Sequence, residues 1–286
     1  MKVTELLDEM TEKFAAAGIE SPRADAEILL GFVIEATRGE ILALAVSGRE
    51  VTELELESIT PLVERRVARE PLQHLTGVAY FRQLELEVGP GVFVPRFETE
   101  TVVQSAIDFL VEMKNSSPVV VDLATGSGAI ALSIATEIPN AKVFAIELSE
   151  VALNYTKKNF SKYAPEAVLA QGDLFEAFPE LDGLVDLVIS NPPYIPNQMV
   201  PIYPEVHLHD PALALYGGSD GLDIIRRVEQ VARRLLREGG KLVVEHADMQ
   251  AESCRQVFSN EFWTEITTSQ DLAGRDRMVS ATKGRG

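Results

Sequence analysis

Two spacings of apolar residues divide this chain. Through about residue 70 they recur at helical intervals, with Leu6, Leu7, Met10 and Phe14 on one stripe and Ala26, Leu29, Leu30 and Val33 on another. Ser21-Pro22 supplies an N-cap and a first-turn proline for the second helix. Gly39 and Gly48 bracket a short third helix, and Thr52 caps a fourth that runs to about Glu70, which Pro61 is expected to kink or break. The spacing predicts a small helical bundle over residues 1–70.

From Pro71 to Pro95 the pattern alternates. Ala79-Tyr80-Phe81, Leu84-Glu85-Leu86-Glu87-Val88 and Val92-Phe93-Val94, interrupted by Gly89-Pro90-Gly91, predict a β-hairpin linker over 71–95. Beyond it a helix opens at Pro95–Glu100 and extends to about Met113, with acids in its first turn where the helix dipole favours them. Strands at Val119–Leu123, Lys142–Glu147, Val168–Ala170, Leu184–Ile189 and Lys241–Glu245 then alternate with helices near Ile130–Glu137, Ser149–Lys162 and Gly221–Leu236. A closing helix and strands follow. Strand and helix in turn define a doubly wound α/β sheet, so residues 96–286 read as one Rossmann-like domain.

Composition narrows the class. Of 286 residues, 46% are hydrophobic and 24% charged, and no apolar run approaches a membrane span. The amino terminus interleaves acids with apolar residues and offers no secretory h-region, which makes the cytoplasm the expected compartment. The one cysteine, Cys254, excludes an intrachain disulfide and a thiolate cluster, and its helical setting makes it a packing residue. A net charge of −18 repels phosphates on average and favours a protein or small-molecule partner over nucleic acid. Arg65, Arg66 and Arg69, and Arg226, Arg227, Arg233, Arg234 and Arg237, fall at helical spacings and read as solvated faces.

The chemistry concentrates at Asn191-Pro192-Pro193-Tyr194, in the stretch Ile189–Tyr194 directly after the apolar run Leu184–Val188. Two prolines stop the strand and leave an amide side chain at its carboxyl end, the edge of an open α/β sheet where ligands bind. There the Asn191 oxygen and the Pro192 carbonyl can accept both hydrogens of one planar NH2, with Tyr194 packed against the flat group. Such a site suits alkylation of an amide or an exocyclic amine. Upstream, Asp122-Leu123-Ala124-Thr125-Gly126-Ser127-Gly128 follows a strand and opens a helix, and Glu147 stands roughly 20 residues beyond it, where a carboxylate meets ribose hydroxyls. Spacing alone leaves NAD and S-adenosylmethionine unseparated. Asp122 disfavours a pyrophosphate and attracts a cationic cofactor, and the Asn-Pro-Pro-Tyr segment has no use in hydride transfer, so S-adenosylmethionine is preferred. Asp173 is placed to accept from an adenine amino group or to cap a helix, with Leu174 as apolar neighbour. His74, His207, His209 and His246 lack metal-ligand company and read as structural or surface residues, with His246 near the ligand edge, and no metal is expected.

Taken together these residues resemble the HemK/PrmC release-factor glutamine methyltransferases, which are class I S-adenosylmethionine-dependent enzymes. The resemblance covers nearly the whole chain: Arg69–Gly77, Val94–Glu100, Asp122–Ala131, Asn191–Ile195, Asp210–Leu222 and Asp271–Arg277. It implies a seven-stranded sheet behind the helical domain. It also implies methylation of the glutamine side-chain nitrogen in the Gly-Gly-Gln loop of class I peptide chain release factors, by a monomer with no stable nucleic-acid partner. The family's cofactor residues carry over onto Ala124, Thr125, Gly126, Ser127, Gly128, Glu147 and Leu174, and its catalytic segment onto Asn191, Pro192, Pro193 and Tyr194. Ala124 stands where the family commonly has Gly, Phe97 where Pro is usual, and Leu174 where some members carry an aromatic. The extra methyl of Ala124 is tolerable if its φ is negative. The helical domain would recognise the release factor. Two other readings stay open: an amine methyltransferase acting on adenine or guanine in nucleic acid, and a non-catalytic protein-binding module.

Overall fold

The computed structural model describes residues 1–285, which form two compact units. One comprises Met1–Val78 with Pro201–His209, the other Ala79–Val200 with the chain from Asp210 onward.

The first unit contains α1 (Val3–Ala16), α2 (Pro22–Ile34), α3 (Arg38–Val46), α4 (Glu53–Val67) and α5 (Leu72–Thr76). Reciprocal capping boxes start α3 and α4: Thr37 and Thr52 accept from the backbone N–H of Glu40 and Glu55, whose carboxylates accept in return. Ser21 occupies the N-cap of α2, but its hydroxyl makes no cap hydrogen bond there. Pro61 does not break α4. It sits on the exposed face, where solvent can reach the Glu57 carbonyl that loses its donor, and the helix continues to Val67. Val3, Leu7, Met10, Phe14, Leu29 and Leu30 join Ile41 and Ile59 in a dry core.

The second unit begins within β1 (Val78–Phe81), at Ala79, and β1 pairs with β2 (Leu84–Glu87), closed by Arg82 at φ 51° and Gln83. The expected Gly-Pro-Gly break is therefore not the hairpin turn, and Val92–Val94 is not a strand. Gly89 and Gly91 permit close approach instead: an added Cβ at Gly89 would lie 2.4 Å from the Tyr155 hydroxyl, and one at Gly91 2.5 Å from the Val151 side chain. Arg82 anchors the real turn, its backbone N–H and guanidinium reaching Glu100 and Glu137.

The chain then runs through α6 (Phe97–Met113), β3 (Val119–Leu123), α7 (Ala129–Glu137), β4 (Lys142–Glu147), α8 (Glu150–Tyr163), β5 (Val168–Gln171) and β6 (Val185–Ser190). After α9 (Pro204–His209), which belongs to the first unit, come α10 (Ala212–Leu215), α11 (Asp223–Leu235), β7 (Leu236–Glu245), α12 (Ala251–Phe258), β8 (Trp263–Gln270) and β9 (Asp276–Lys283). The 7-stranded sheet has the order β5-β4-β3-β6-β7-β9-β8, with β9 antiparallel to both neighbours. Period-two alternation splits its side chains between two cores. Val120, Leu187, Ile189 and Val243 pack with residues of α6 to α8, while Val121, Leu123, Val188 and Val244 pack with residues of α11 and α12.

Register positions the site. Leu123 lies opposite Ile146 and Ser190, and Ser190 opposite Val244, so Ala124, Glu147, Asn191 and Glu245 emerge side by side at one sheet edge.

Two sequence readings need revision. Arg66 is not on a solvated face: it is buried, with Nε donating to Asp25 at 2.8 Å and Nη1 to Glu205 at 3.0 Å, while Arg69 reaches Glu205 at 2.6 Å. Arg227 and Arg234 are likewise engaged, with Asp173 and Asp182 respectively. Cys254 is a core residue, and burial pushes its thiol up to about 12, which leaves it inert. Among the described residues no helix is long and apolar enough to cross a membrane.

Candidate active site

The glycine turn joins β3 to α7. Gly126 and Gly128 take φ values of 58° and 89°, and an added Cβ at Gly128 would lie 2.9 Å from the Phe160 ring. At Gly126 an added Cβ meets nothing within 4 Å, so its backbone lies open to close approach. Asp122 does not face a ligand. It is fully buried beneath the turn, where Oδ2 accepts from the Thr125 hydroxyl at 2.5 Å and the Ala131 N–H at 3.2 Å. Burial raises its carboxyl to about 7. Its role is to shape the loop.

Ala124 has φ 60°, against the negative value that would make its methyl harmless. Left-handed backbone costs a non-glycine residue about 1–2 kcal/mol, and glycine's extra unfolded freedom returns part of that. Ala124→Gly is expected to raise stability by about 0.5–1 kcal/mol, read as a higher midpoint in urea with an unchanged slope.

Glu147, 8% exposed, supports the turn from β4: Oε2 accepts from the Gly126 N–H at 2.8 Å and Oε1 from the Ser149 N–H at 2.7 Å. Burial raises its carboxyl while these donors favour the charge. Asp173 caps the 3-10 turn Leu174–Glu176 through the Phe175 N–H, and both its oxygens accept from Arg227, at 2.7 and 2.8 Å. Leu174 is partly buried against the core beside it.

The Asn191–Tyr194 segment is clamped by residues that sequence reading did not single out. Gln250 Nε2 donates to the Tyr194 carbonyl at 2.8 Å, and the Ile195 N–H donates to the Leu215 carbonyl at 2.8 Å. Gly217 and Gly221 allow the segment in, since a Cβ there would lie 2.5 Å from the Pro193 carbonyl and 2.2 Å from that of Tyr194. Asn191 Nδ2 donates to the Thr99 hydroxyl on α6 at 3.2 Å, so Oδ1 turns the other way. Among the described residues neither Asn191 Oδ1 nor the Pro192 carbonyl accepts a hydrogen bond. The Tyr194 hydroxyl meets Glu245 Oε1 at 3.3 Å, and burial with the Glu245 charge raises its pKa far above the ordinary phenol, which keeps it a donor. Thr99 and Glu245 were missed as individuals: Thr99 lies in the polar first turn of α6, and Glu245 ends the apolar run Leu242–Val244 of β7 without a motif around it. The 271–277 segment folds on Asp271, which accepts from Arg275 and Arg277, and Arg275 also reaches Glu98.

Of the four histidines, His246 is buried next to Glu245 with Nδ1 2.7 Å from the Ala247 carbonyl, and burial lowers its pKa, so it stays neutral. Among the described residues no group of three or more His, Cys, Asp or Glu is arranged to hold a metal.

Two family models match the chain, the PrmC N-terminal domain over residues 5–77 and the methyltransferase small domain over 84–202. The chain is 50% identical to a release factor glutamine methyltransferase of Streptomyces coelicolor, over 96% of this chain and 95% of that one. The chain belongs to the release factor glutamine methyltransferase family. A 4-amino-L-phenylalanine/4-methylamino-L-phenylalanine methyltransferase of Streptomyces pristinaespiralis is 39% identical over 90% of this chain and 87% of its own. Among solved structures, a methyltransferase from Pyrococcus furiosus superposes with a TM-score of 0.50 at 19% identity, covering 71% of this chain and 90% of that one. This last likeness concerns the fold alone.

Proposed function

We propose that this member of the release factor glutamine methyltransferase family transfers a methyl group from S-adenosylmethionine to the side-chain amide nitrogen of the glutamine in the Gly-Gly-Gln loop of class I peptide chain release factors. The observation that carries the reading is Asn191, whose Nδ2 is committed to Thr99 while Oδ1 and the neighbouring Pro192 carbonyl remain available as two acceptors beside the glycine turn.

The residues around the turn fit the cofactor. Gly126 gives an open backbone approach, Ala124, Thr125, Ser127 and Gly128 shape the loop, Glu147 would offer carboxylate lone pairs to ribose hydroxyls, and Asp173 with Leu174 would flank the adenine. When bound, the cofactor would supply a methyl carbon made electrophilic by the attached sulfonium, its carbon–sulfur bond breaking to leave a neutral thioether as the nitrogen takes the methyl. An amide nitrogen is a poor nucleophile because its lone pair is delocalised into the carbonyl. Asn191 Oδ1 and the Pro192 carbonyl each accept one N–H, which holds the NH2 in one orientation and stabilises the positive charge that develops on nitrogen as the new N–C bond forms. The surplus proton then leaves to solvent, and no ionisable side chain has to act as base. Tyr194 and Pro193 form the wall against which the flat amide packs.

In this reading the helical unit recognises the factor, the enzyme works as a cytoplasmic monomer, and the net charge of −18 suits a protein substrate over nucleic acid. A second reading, methylation of a small aromatic amine, is favoured by the 39% identical relative named above. Incubation with radiolabelled S-adenosylmethionine and, in parallel, a release factor, its Gln→Ala loop variant and 4-amino-L-phenylalanine separates the two. Label on the wild-type factor alone is expected. Label on the small amine alone would replace the proposal with the second reading, and label on the Gln→Ala variant would put the methyl elsewhere.

A further inference from the structure

The turn between β8 and β9, Asp271–Arg275, takes no part in the methyl-transfer chemistry, yet it is closely built. The Asp271 N–H donates to the Arg275 carbonyl at 2.8 Å, and the Gly274 N–H to the Asp271 carbonyl at 2.9 Å. Asp271 Oδ1 accepts from the Ala273 and Arg275 N–H groups at 2.9 and 3.1 Å, and Oδ2 from the Arg277 and Arg275 guanidiniums at 3.1 and 3.2 Å. What this frame holds out is Leu272, 99% exposed. Bonds within the turn keep the side chain in water, so its apolar surface is free to be buried by something else.

The turn stands beside the candidate site. Glu245, the last residue of β7, lies opposite Met278 of antiparallel β9, and the His246 N–H donates to the Arg277 carbonyl at 2.9 Å. The turn that precedes β9 is therefore at the same sheet edge as Asn191, two strands across, or about 10 Å at the usual strand spacing. Arg275 Nη2 donates to Glu98 Oε1 at 3.1 Å, which brings the turn to the start of α6. Phe97, the neighbour of Glu98, is 79% exposed, and Thr99 on its other side holds Asn191. Two large apolar side chains thus stand in water on elements that adjoin the Asn191–Tyr194 segment.

The charges around them are spent on one another. Arg275 and Arg277 engage Asp271, and Arg96, which precedes Phe97, engages Asp210 at 2.6 Å. None of these three guanidiniums is free to take a phosphate, so this edge offers apolar contact to a polypeptide and little to nucleic acid.

We infer that Leu272 and Phe97 form an apolar rim that docks side chains of the acceptor polypeptide flanking the glutamine, and so select a protein acceptor over a small amine or amide. The inference rests on the proposed reaction and adds to it the place where the acceptor is held outside the Asn-Pro-Pro-Tyr segment. An extended peptide covers about 3.3 Å per residue, so a side chain roughly three places from the glutamine reaches the turn. A free amino acid does not.

The test compares the wild type with Leu272→Ser, Phe97→Ser, the double variant and Leu272→Met, and with Val111→Ser as a control at an exposed apolar position near the other end of α6. It reads kcat and KM for a class I release factor, the Kd for S-adenosylmethionine and the urea midpoint. Titration calorimetry adds the Kd for the factor's Gln→Ala loop variant, which needs no methyl transfer. Each serine variant is expected to raise KM and the factor Kd about 5- to 30-fold, and the double variant more than either. Their kcat and cofactor Kd stay within about twofold. The urea midpoint does not move, because neither side chain is packed in the folded chain, and this separates docking from a structural role. Leu272→Met restores most of the affinity, and Val111→Ser behaves as the wild type.

Unchanged KM and factor Kd in both serine variants would overturn the inference, as would an equal change in Val111→Ser or a loss confined to kcat or cofactor Kd. A wild-type dimer that Leu272→Ser separates, with factor Kd unchanged, would assign the rim to a second copy of the chain and also overturn it. A wild type that binds the factor without methylating it would instead count against the proposed reaction, and the Kd values would still decide the rim. A wild type that does neither would remove both.

Discussion

Replacing Asn191 with alanine is expected to lower kcat about 10²–10³-fold while cofactor Kd stays within about threefold. The size follows from where the lost interaction operates. As the amide nitrogen takes on the methyl group it becomes positive and its hydrogens become stronger donors, so an acceptor aimed at one of them stabilises the transition state more than the bound substrate. Asn191 Oδ1 is such an acceptor, pre-oriented by the Thr99 bond of 3.2 Å, and its removal is felt in kcat. The Pro192 carbonyl remains in the variant and accounts for the residual rate. Single-turnover kinetics at saturating factor and cofactor check this; a loss confined to KM would mean that Asn191 only holds substrate.

Glu147→Ala is expected to act on the other ligand, raising cofactor Kd about 100-fold, or about 3 kcal/mol. Two contributions add. The substitution removes the acceptor proposed for the ribose hydroxyls. It also strips the Gly126 and Ser149 N–H groups of the carboxylate oxygens they reach at 2.8 and 2.7 Å, and each half-buried donor left unpaired costs about 1–3 kcal/mol. The turn that must approach the cofactor thereby loses its fixed geometry. At saturating cofactor the maximal rate should recover to within about tenfold. Titration calorimetry checks the affinity, and a Kd within threefold of the wild type would show that Glu147 serves the loop without touching the ligand.

What could be read from the residues and what could not divides along the range of the interactions. Leu184–Asn191 announced itself as a strand ended by prolines because the apolar run and the two missing donors are properties of adjacent residues. The glycine turn was legible for the same reason. The hairpin was located but its turn was not: Arg82 adopts φ 51° because Glu100 and Glu137 hold its backbone and guanidinium, contacts made far along the chain. Gly89 and Gly91 looked like turn residues yet serve close packing against Tyr155 and Val151. Asp122 was placed facing the cofactor on its position before the turn, whereas its orientation inward follows from the Thr125 and Ala131 donors that fold back onto it. The sign of φ at Ala124 likewise depends on the complete loop. Arg66 read as solvated because helical spacing reports a face and not what covers it; Asp25 and Glu205 do so here. Thr99 and Glu245 flank Asn191 only through sheet register and the packing of α6, neither of which is local.

The central claim is that the acceptor is the side-chain nitrogen of one glutamine, held by Asn191 and Pro192. Mass spectrometry of a release factor treated with the enzyme and S-adenosylmethionine tests it most directly, by locating the added methyl within the Gly-Gly-Gln peptide. The account predicts one methyl group on the glutamine side-chain nitrogen, present with the wild type and nearly absent with Asn191→Ala. A methyl on any other residue, or on this glutamine at equal rate with Asn191→Ala, would contradict it.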